Sequence, residues 1–321
     1  MNSPGMFLED DQLRPIWRFL LSIVLLFASF SLTVEIVGIG FLIANAHPAM
    51  GVAFFWQSLV CLVVVLAAFK LMTALFDRRP LGSMGLAFHS RWWRELGRGI
   101  VVGAAMLCLA VLLEWGGGFV HFAFTPHPMF LAGCFSSILF AVAAAKEEVI
   151  FRGYAFQRLA EAITPVGAVA VTSAFFGLAH FANPHRTWIS TLNTALVGIP
   201  FCVAYLRTRS LWMPIGMHFI WNFLQGFFVG LPVSGLMFSA SVLTARVQGP
   251  AWLTGGNYGP EGGVLATAPI LLGIAYLTFS KRIYTTGEMK ALVLDPVALP
   301  RHDAPITIFS AHSKKEETTR D

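Results

Sequence analysis

The chain has 321 residues, of which 56% are hydrophobic and 12% charged, and its formal net charge is +5. A soluble globular domain carries about 25% charged residues, so this composition excludes a soluble class and indicates an integral membrane protein. The basic residues gather at alternate connections between apolar runs, which is a signature of membrane topology, and we therefore predict no nucleic-acid partner.

Long apolar runs follow one another along the chain, and most approach the roughly 20 residues that a helix needs to cross the hydrocarbon. The runs are 16–45, 52–76, 98–121, 129–156, 165–183, 188–206, 212–232 and 264–280. They predict an all-α fold, a polytopic membrane helical bundle of about eight transmembrane helices. The fifth run ends in polar residues and the eighth is short, so seven spans with a re-entrant segment is an open alternative.

Lys and Arg residues flank these runs on alternate sides. One side carries Arg14, Arg18, Arg78, Arg79, Arg91, Arg94, Arg98, Arg158, Arg207, Arg209, Lys281 and Arg282. The connections 46–51 and 121–128 have no Lys or Arg. The positive-inside rule places both termini in the cytoplasm, with Arg186 and Arg246 on the far side.

The sequence shows no repeat and no hydrophilic insert large enough for a second domain. We predict a cytoplasmic N-terminus at 1–15 and one membrane domain at 16–283, with a core of motifs at 130–230. Residues 284–321 are polar and punctuated by Pro, and we predict a flexible cytoplasmic tail there. The connection 232–263 is rich in Gly and Pro, and both a lid over the bundle and an ordered connector are open for it.

The hexapeptide EEVIFR at 147–152 brings two carboxylates and a guanidinium into an apolar run. Ionisable groups at membrane depth usually face the bundle interior and mark a working site. Glu148 and Arg152 are four residues apart, so they share a helix face and are expected to pair. Glu147 points about 100° away and is expected to be left unpaired, which makes it the better candidate for a base.

Two later runs each bring an imidazole. Counted from a turn predicted at 164–165, Glu147 lies 17 residues before it and His180 lies 15 residues after it. At about 1.5 Å per residue, antiparallel helices bring the two side chains to the same level. In the seventh run His218 and Asn222 form an i,i+4 pair on one face. A base, two imidazoles and an amide are what amide hydrolysis needs, and a zinc site from the same residues is an open alternative.

Three motifs in separate apolar runs, Glu-Glu-x-x-x-Arg, Phe-x-x-x-His and His-x-x-x-Asn, resemble in this order those of the CPBP (Abi) family of intramembrane endopeptidases. That family includes the type II CAAX prenyl endopeptidases and bacterial proteins linked to bacteriocin self-immunity. The matching residues are Glu147, Glu148, Arg152, Phe176, His180, His218 and Asn222. The resemblance implies an endopeptidase acting on a membrane-associated substrate, CAAX-type prenylated proteins among them. It also implies that Glu147 and His180 activate the water and that His218 and Asn222 stabilise the oxyanion.

Members of this family have been described both as metalloproteases and as glutamate-dependent enzymes without metal. We favour the metal-free form with no cofactor, and expect Glu147, His180 and His218 as the ligands if zinc is present. The implied partners are a membrane-associated peptide or protein and the bilayer, and we expect a multi-pass protein of a bacterial plasma membrane.

Two other function classes stay open. A non-catalytic immunity or scaffold protein would have no need for Glu147, His180, His218 and Asn222 together. A proton-coupled transporter would use the charged residues as a relay, but transporters normally have pseudo-symmetric halves, and the sequence shows no such symmetry.

Overall fold

The computed structural model of the chain describes residues 6–9, 12–126, 129–238 and 240–293, and these form a helical bundle. In chain order the helices are α1 (Pro15–Ile43), α2 (Met50–Met72), α3 (Trp92–Gly116), α4 (Phe130–Arg152), α5 (Tyr154–Ala162), α6 (Pro165–Ala179), α7 (Trp188–Thr208), α8 (Trp212–Phe223), α9 (Ala251–Thr254), α10 (Thr267–Phe279) and α11 (Gly287–Val293). Two short antiparallel ladders pair β1 (Leu8–Glu9) with β2 (Gln12–Leu13) and β3 (Val120–Phe124) with β4 (Leu243–Val247). The predicted polytopic helical bundle is confirmed.

Within the described ranges, six helical segments are long and apolar enough to cross a membrane. They are Pro15–Ile43, Met50–Asp77, Trp92–Gly116, Phe130–Ala162, Pro165–Ala182 and Trp188–Thr208. The seventh predicted run forms α8 and a π-helical turn, Leu224–Val229, while the eighth lies in the shorter apolar segment Val264–Phe279. The exact count of eight spans therefore stays a prediction.

Ion pairs and strand pairing mark two opposite ends of the bundle. At one end, Asp77 accepts from Arg18 at 2.5 Å and from Arg158 at 3.1 Å, which joins the start of α1, the π-helical turn Thr73–Asp77 that continues α2, and α5. At the other end, β3 follows α3 and pairs with β4, where His121 lies opposite Arg246. Three of the segments that the charge pattern assigns to one side thus lie together, and which end faces the cytoplasm stays a prediction.

Close helix contacts through glycine position the later helices. A Cβ on Gly99 or Gly103 of α3 would clash with carbonyl oxygens of Met213 and Met217 on α8. A Cβ on Gly177 of α6 would lie 2.7 Å from the Thr191 carbonyl oxygen of α7. Small residues let helix backbones approach closely, which is the usual means of packing helices in membranes.

The end of the described chain is packed onto the bundle. Met289 on α11 is buried, and the Glu288 carboxylate accepts from the Ser90 N–H at 2.8 Å. The first part of the predicted flexible tail is therefore a docked helix, because Met289 removes apolar surface from solvent. The remainder of that predicted tail, 294–321, lies outside the described residues.

Candidate active site

The last turns of α4 hold a buried ion pair. Arg152 Nη1 lies 3.2 Å from Glu148 Oε1, and neither side chain has exposed surface. Arg152 Nη2 also donates to the Gly198 carbonyl at 3.0 Å, and the guanidinium stands 4.5 Å from the centre of the Phe176 ring. The predicted i,i+4 pairing is confirmed. A buried charge persists only when it is paired and hydrogen-bonded, and Arg152 has both kinds of partner.

His180 follows the last residue of α6, with its ring packed 4.8 Å from that of Phe176. Its Nδ1 lies 2.8 Å from the Phe176 carbonyl oxygen. A carbonyl oxygen only accepts, so Nδ1 carries a proton and the neutral ring has a free lone pair on Nε2. That Nε2 lies 3.8 Å from Glu147 Oε2. The predicted meeting of Glu147 and His180 is confirmed.

His218 on α8 contacts both glutamates, one with each nitrogen of its ring. Its Nδ1 donates to Glu148 Oε1 at 2.8 Å, and its Nε2 lies 3.7 Å from Glu147 Oε2. The ring stacks on Phe201 at 5.1 Å between centroids. Glu148 thus accepts from both Arg152 and His218, which fixes the tautomer and orientation of the imidazole.

Glu147 has a cationic partner that the sequence reasoning missed. Lys146 Nζ lies 3.3 Å from Glu147 Oε1, and it also stands 5.3 Å from the centre of the Phe54 ring. The prediction that Glu147 is unpaired is wrong, because the long lysine side chain folds back to its neighbour although adjacent helix positions do not share a face. A lysine directly before the double glutamate in an apolar run was the signal that could have revealed it.

A cavity of about 290 Å³ opens beside these groups. Glu147, His180, His218 and Asn222 line it together with Lys146, and aromatic rings supply much of its apolar wall. Glu148 and Arg152 are absent from that lining and lie behind His218. The predicted site residues are therefore brought together: Glu147, His180, His218 and Asn222 lie at the cavity, and Glu148 and Arg152 support the His218 imidazole.

The donor types at the cavity are ones that zinc accepts, namely imidazole nitrogen and carboxylate oxygen. Among the residues that the structure describes, however, no three His, Cys, Asp or Glu side chains are grouped closely enough to hold a metal ion. The fit to zinc is therefore incomplete.

The comparison with known families bears on the same helices. Residues 130–224 match the family described as Rce1-like, type II CAAX prenyl endopeptidase Rce1-like. These residues form a CPBP-family domain. The match takes in α4 to α8 and all three motifs. It supports a CAAX-type intramembrane endopeptidase in general. Searches of curated proteins and of solved structures find no match to the chain.

The CPBP domain ends before a segment that also reaches the cavity. Ser234, in the 232–263 connection, lines the cavity, and its carbonyl accepts from Asn183 Nδ2 at 2.9 Å. Glu261, later in the same connection, hydrogen-bonds Ser234. The sequence did not reveal Asn183, Ser234 or Glu261 as site residues. In an irregular connection no periodicity shows which side chains face the cavity.

Proposed function

We propose that this protein is an intramembrane endopeptidase that hydrolyses a peptide bond of a membrane-associated substrate, with CAAX-type prenylated proteins as the first class to test. One observation carries the proposal. The Nε2 atoms of His180 and His218 converge on Glu147 Oε2, at 3.8 and 3.7 Å, at the wall of a cavity within a membrane bundle.

Glu147 and His180 are proposed to activate the water. Their separation of 3.8 Å is too long for a direct hydrogen bond, and it lets one water lie about 2.8 Å from both atoms. Glu147 Oε2 takes a proton from this water as its oxygen attacks the substrate carbonyl carbon. Lys146 pairs with the other oxygen of the carboxylate and leaves Oε2 free for the water.

His218 and Asn222 are proposed to stabilise the oxyanion that forms on the carbonyl oxygen. Asn222 offers its side-chain N–H groups, and His218 donates from Nε2 when the ring is an imidazolium. Glu148 accepts from Nδ1 at 2.8 Å and so stabilises the positive ring, while Arg152 holds Glu148 in place. The proton on Glu147 then passes to the leaving nitrogen, the C–N bond breaks, and a carboxylic acid and an amine are released.

The alternatives use the same residues differently. Zinc would take Glu147, His180 and His218 as ligands, and a scaffold or transporter would cleave nothing. Peptide cleavage by the purified protein distinguishes the proposal from a scaffold or a transporter. The zinc content of the purified protein distinguishes it from a zinc enzyme.

The test uses purified protein in detergent with a quenched fluorogenic farnesylated CAAX peptide and its unprenylated counterpart. We expect the wild type to cleave the farnesylated peptide and Glu147→Gln to abolish cleavage, since the amide has nearly the same shape but cannot accept the proton. Glu35→Gln, which replaces an exposed glutamate on α1, is the matched control and should keep full activity.

Cleavage of neither peptide by the wild type, or full activity in Glu147→Gln, would overturn the proposal. Stoichiometric zinc, together with activity that a chelator removes and added zinc restores, would overturn the metal-free mechanism and leave intramembrane proteolysis standing.

A further inference from the structure

A tight turn at 233–236 forms one wall of the cavity. Val233 and Leu236 pair across the turn, and both of them line the cavity with Ser234. Gly235 within the turn has a φ of +83°, and a Cβ there would clash with the Pro184 carbonyl oxygen. The wall is thus pressed against the connection that follows His180, so its position bears directly on the space beside the imidazole.

The Glu261 carboxyl group holds this turn in place. Its Oε1 accepts from the Ser234 N–H at 2.5 Å and from the Ser234 hydroxyl at 3.2 Å. Its Oε2 accepts from Gln225 Nε2 at 2.5 Å, and the same Gln225 amide donates to the Pro232 carbonyl. One side chain therefore ties the cavity wall to the helical continuation of α8.

Glu261 also faces the proposed oxyanion groups. A space of about 30 Å³ lies among Glu261, Ser234, His218 and Asn222. This volume suits one water molecule, and the surrounding polar groups supply the two to four partners that a buried water needs, about three on average. The clamp on the turn and the oxyanion side of the site thus share one small polar chamber.

The Glu261 side chain that holds the turn is almost entirely buried, with a relative exposure of 5%. Burial raises the pKa of Glu261 to about 7, against the hydrogen bonds from Ser234 and Gln225, which lower it. The neutral carboxyl is therefore well populated near neutral pH, and glutamine is a close substitute for it. Gln225 Oε1 is a buried oxygen with no hydrogen-bond partner in the described structure.

We propose that Glu261 is a positioning residue, whose buried carboxyl clamps the 233–236 turn as the substrate-binding wall of the cavity. The inference rests on the proposed function for its kinetic consequences. Glu147 lies on α4 and His180 directly after α6, and in the described structure neither side chain hydrogen-bonds Glu261 or Ser234. Loss of the clamp should therefore weaken substrate binding more than it slows the chemical step.

The test compares Glu261→Ala, Glu261→Gln and wild type by kinetics on the farnesylated peptide and by limited trypsin digestion. Arg246 is the trypsin site in 232–263 and is exposed, but it lies in β4 paired with β3, so its cleavage reports release of the connection far enough to open that pairing. For Glu261→Ala we expect KM and the Arg246 cleavage rate each to rise about 10-fold or more, the usual cost of losing hydrogen bonds to such a group. Its kcat should stay within about 3-fold of wild type, because the reacting groups stay in place.

Glu261→Gln should lie between Glu261→Ala and wild type in both measurements, because it keeps an acceptor for Ser234 but loses the acceptor for Gln225 Nε2. Glu288→Ala is the matched control. That carboxylate also accepts from a backbone N–H, but it lies on α11 away from the cavity, and its loss should change neither measurement. If Glu261→Ala does not fold, Gln225→Ala removes the other donor of the clamp and is judged by the same two measurements.

An unchanged KM, or an unchanged Arg246 cleavage rate, in Glu261→Ala would overturn the inference. The two proposals fail in different ways. If the wild type cleaves no peptide, the proposed function fails, whereas the trypsin rates still decide whether Glu261 clamps the connection.

Discussion

Arg152 has no exposed surface, and its charge is matched by Glu148 at 3.2 Å. Removal of one partner of a buried ion pair leaves the other charge uncompensated, so Arg152→Ala should destabilise the protein by about 3–5 kcal/mol. We expect a lower unfolding temperature in detergent, and lost activity as well, because Glu148 also orients His218. Arg94→Ala removes an exposed arginine of α3 and serves as the control. An unfolding temperature equal to that of wild type in Arg152→Ala would contradict the role assigned to the pair.

The sequence predicted the residue-scale contacts that follow from helix spacing. Glu148 with Arg152 is an i,i+4 pair, and Phe176 stands four residues before His180, so both contacts follow from the spacing alone. The contact of Lys146 with Glu147 was not predicted, because it depends on the rotamer of a long side chain. The contacts of Glu261 were not predicted either. They depend on how an irregular connection folds back onto the bundle, and no periodicity in the sequence indicates this.

At the scale of elements, the contact between α3 and α8 decides where His218 lies. Gly103 leaves no room for a Cβ beside the Met217 carbonyl oxygen, whereas a Cβ at Gly97 of the same helix meets nothing within 4 Å. Gly103→Ala should therefore destabilise the protein by about 1–3 kcal/mol through overpacking. Gly97→Ala should be neutral or stabilising by up to about 1 kcal/mol, because alanine is the better helix former.

Thermal unfolding of the two alanine variants in detergent is the measurement. The kinetics of Gly103→Ala should also suffer, because α8 carries His218 and Asn222. Equal unfolding temperatures for Gly97→Ala and Gly103→Ala would show that the close contact contributes no stability.

Helix positions were easier to predict than helix ends. The fourth apolar run extends to 156 in the sequence, whereas α4 ends at Arg152 and the chain leaves the helical conformation at Gly153, where a Cβ would clash with the Val149 carbonyl oxygen. Gly153 has a ψ of −133°, and α5 begins immediately after it. Hydropathy is nearly continuous through this break, so composition alone placed no boundary there. The turn before α6 was predicted correctly because Thr164 and Pro165 are a local N-cap and first-turn signal.

For the whole molecule, hydropathy predicted a polytopic bundle but could not settle the number of spans. The eighth run forms a 13-residue helix, α10, which is short for a crossing that takes about 20 residues. Tertiary packing decides whether such a helix crosses, tilts or stays at one face, and this information is absent from a hydropathy profile. The relative placement of the ends is better defined, since Asp77 links α1, α2 and α5 at one end.

The absolute orientation follows from charge. The end that holds Arg18 and Arg158 also holds Arg78, which directly follows Asp77, so the positive-inside rule predicts that it faces the cytoplasm. Reporter fusions that end at Ser83 should therefore report inside, and fusions that end at Pro48 or Pro126 should report outside. A phosphatase reporter, active outside, and a fluorescent reporter, bright inside, give complementary signals at each position. Because α1 to α3 run in alternating directions, the three positions are linked, and a reversed signal at any two of them would refute the orientation.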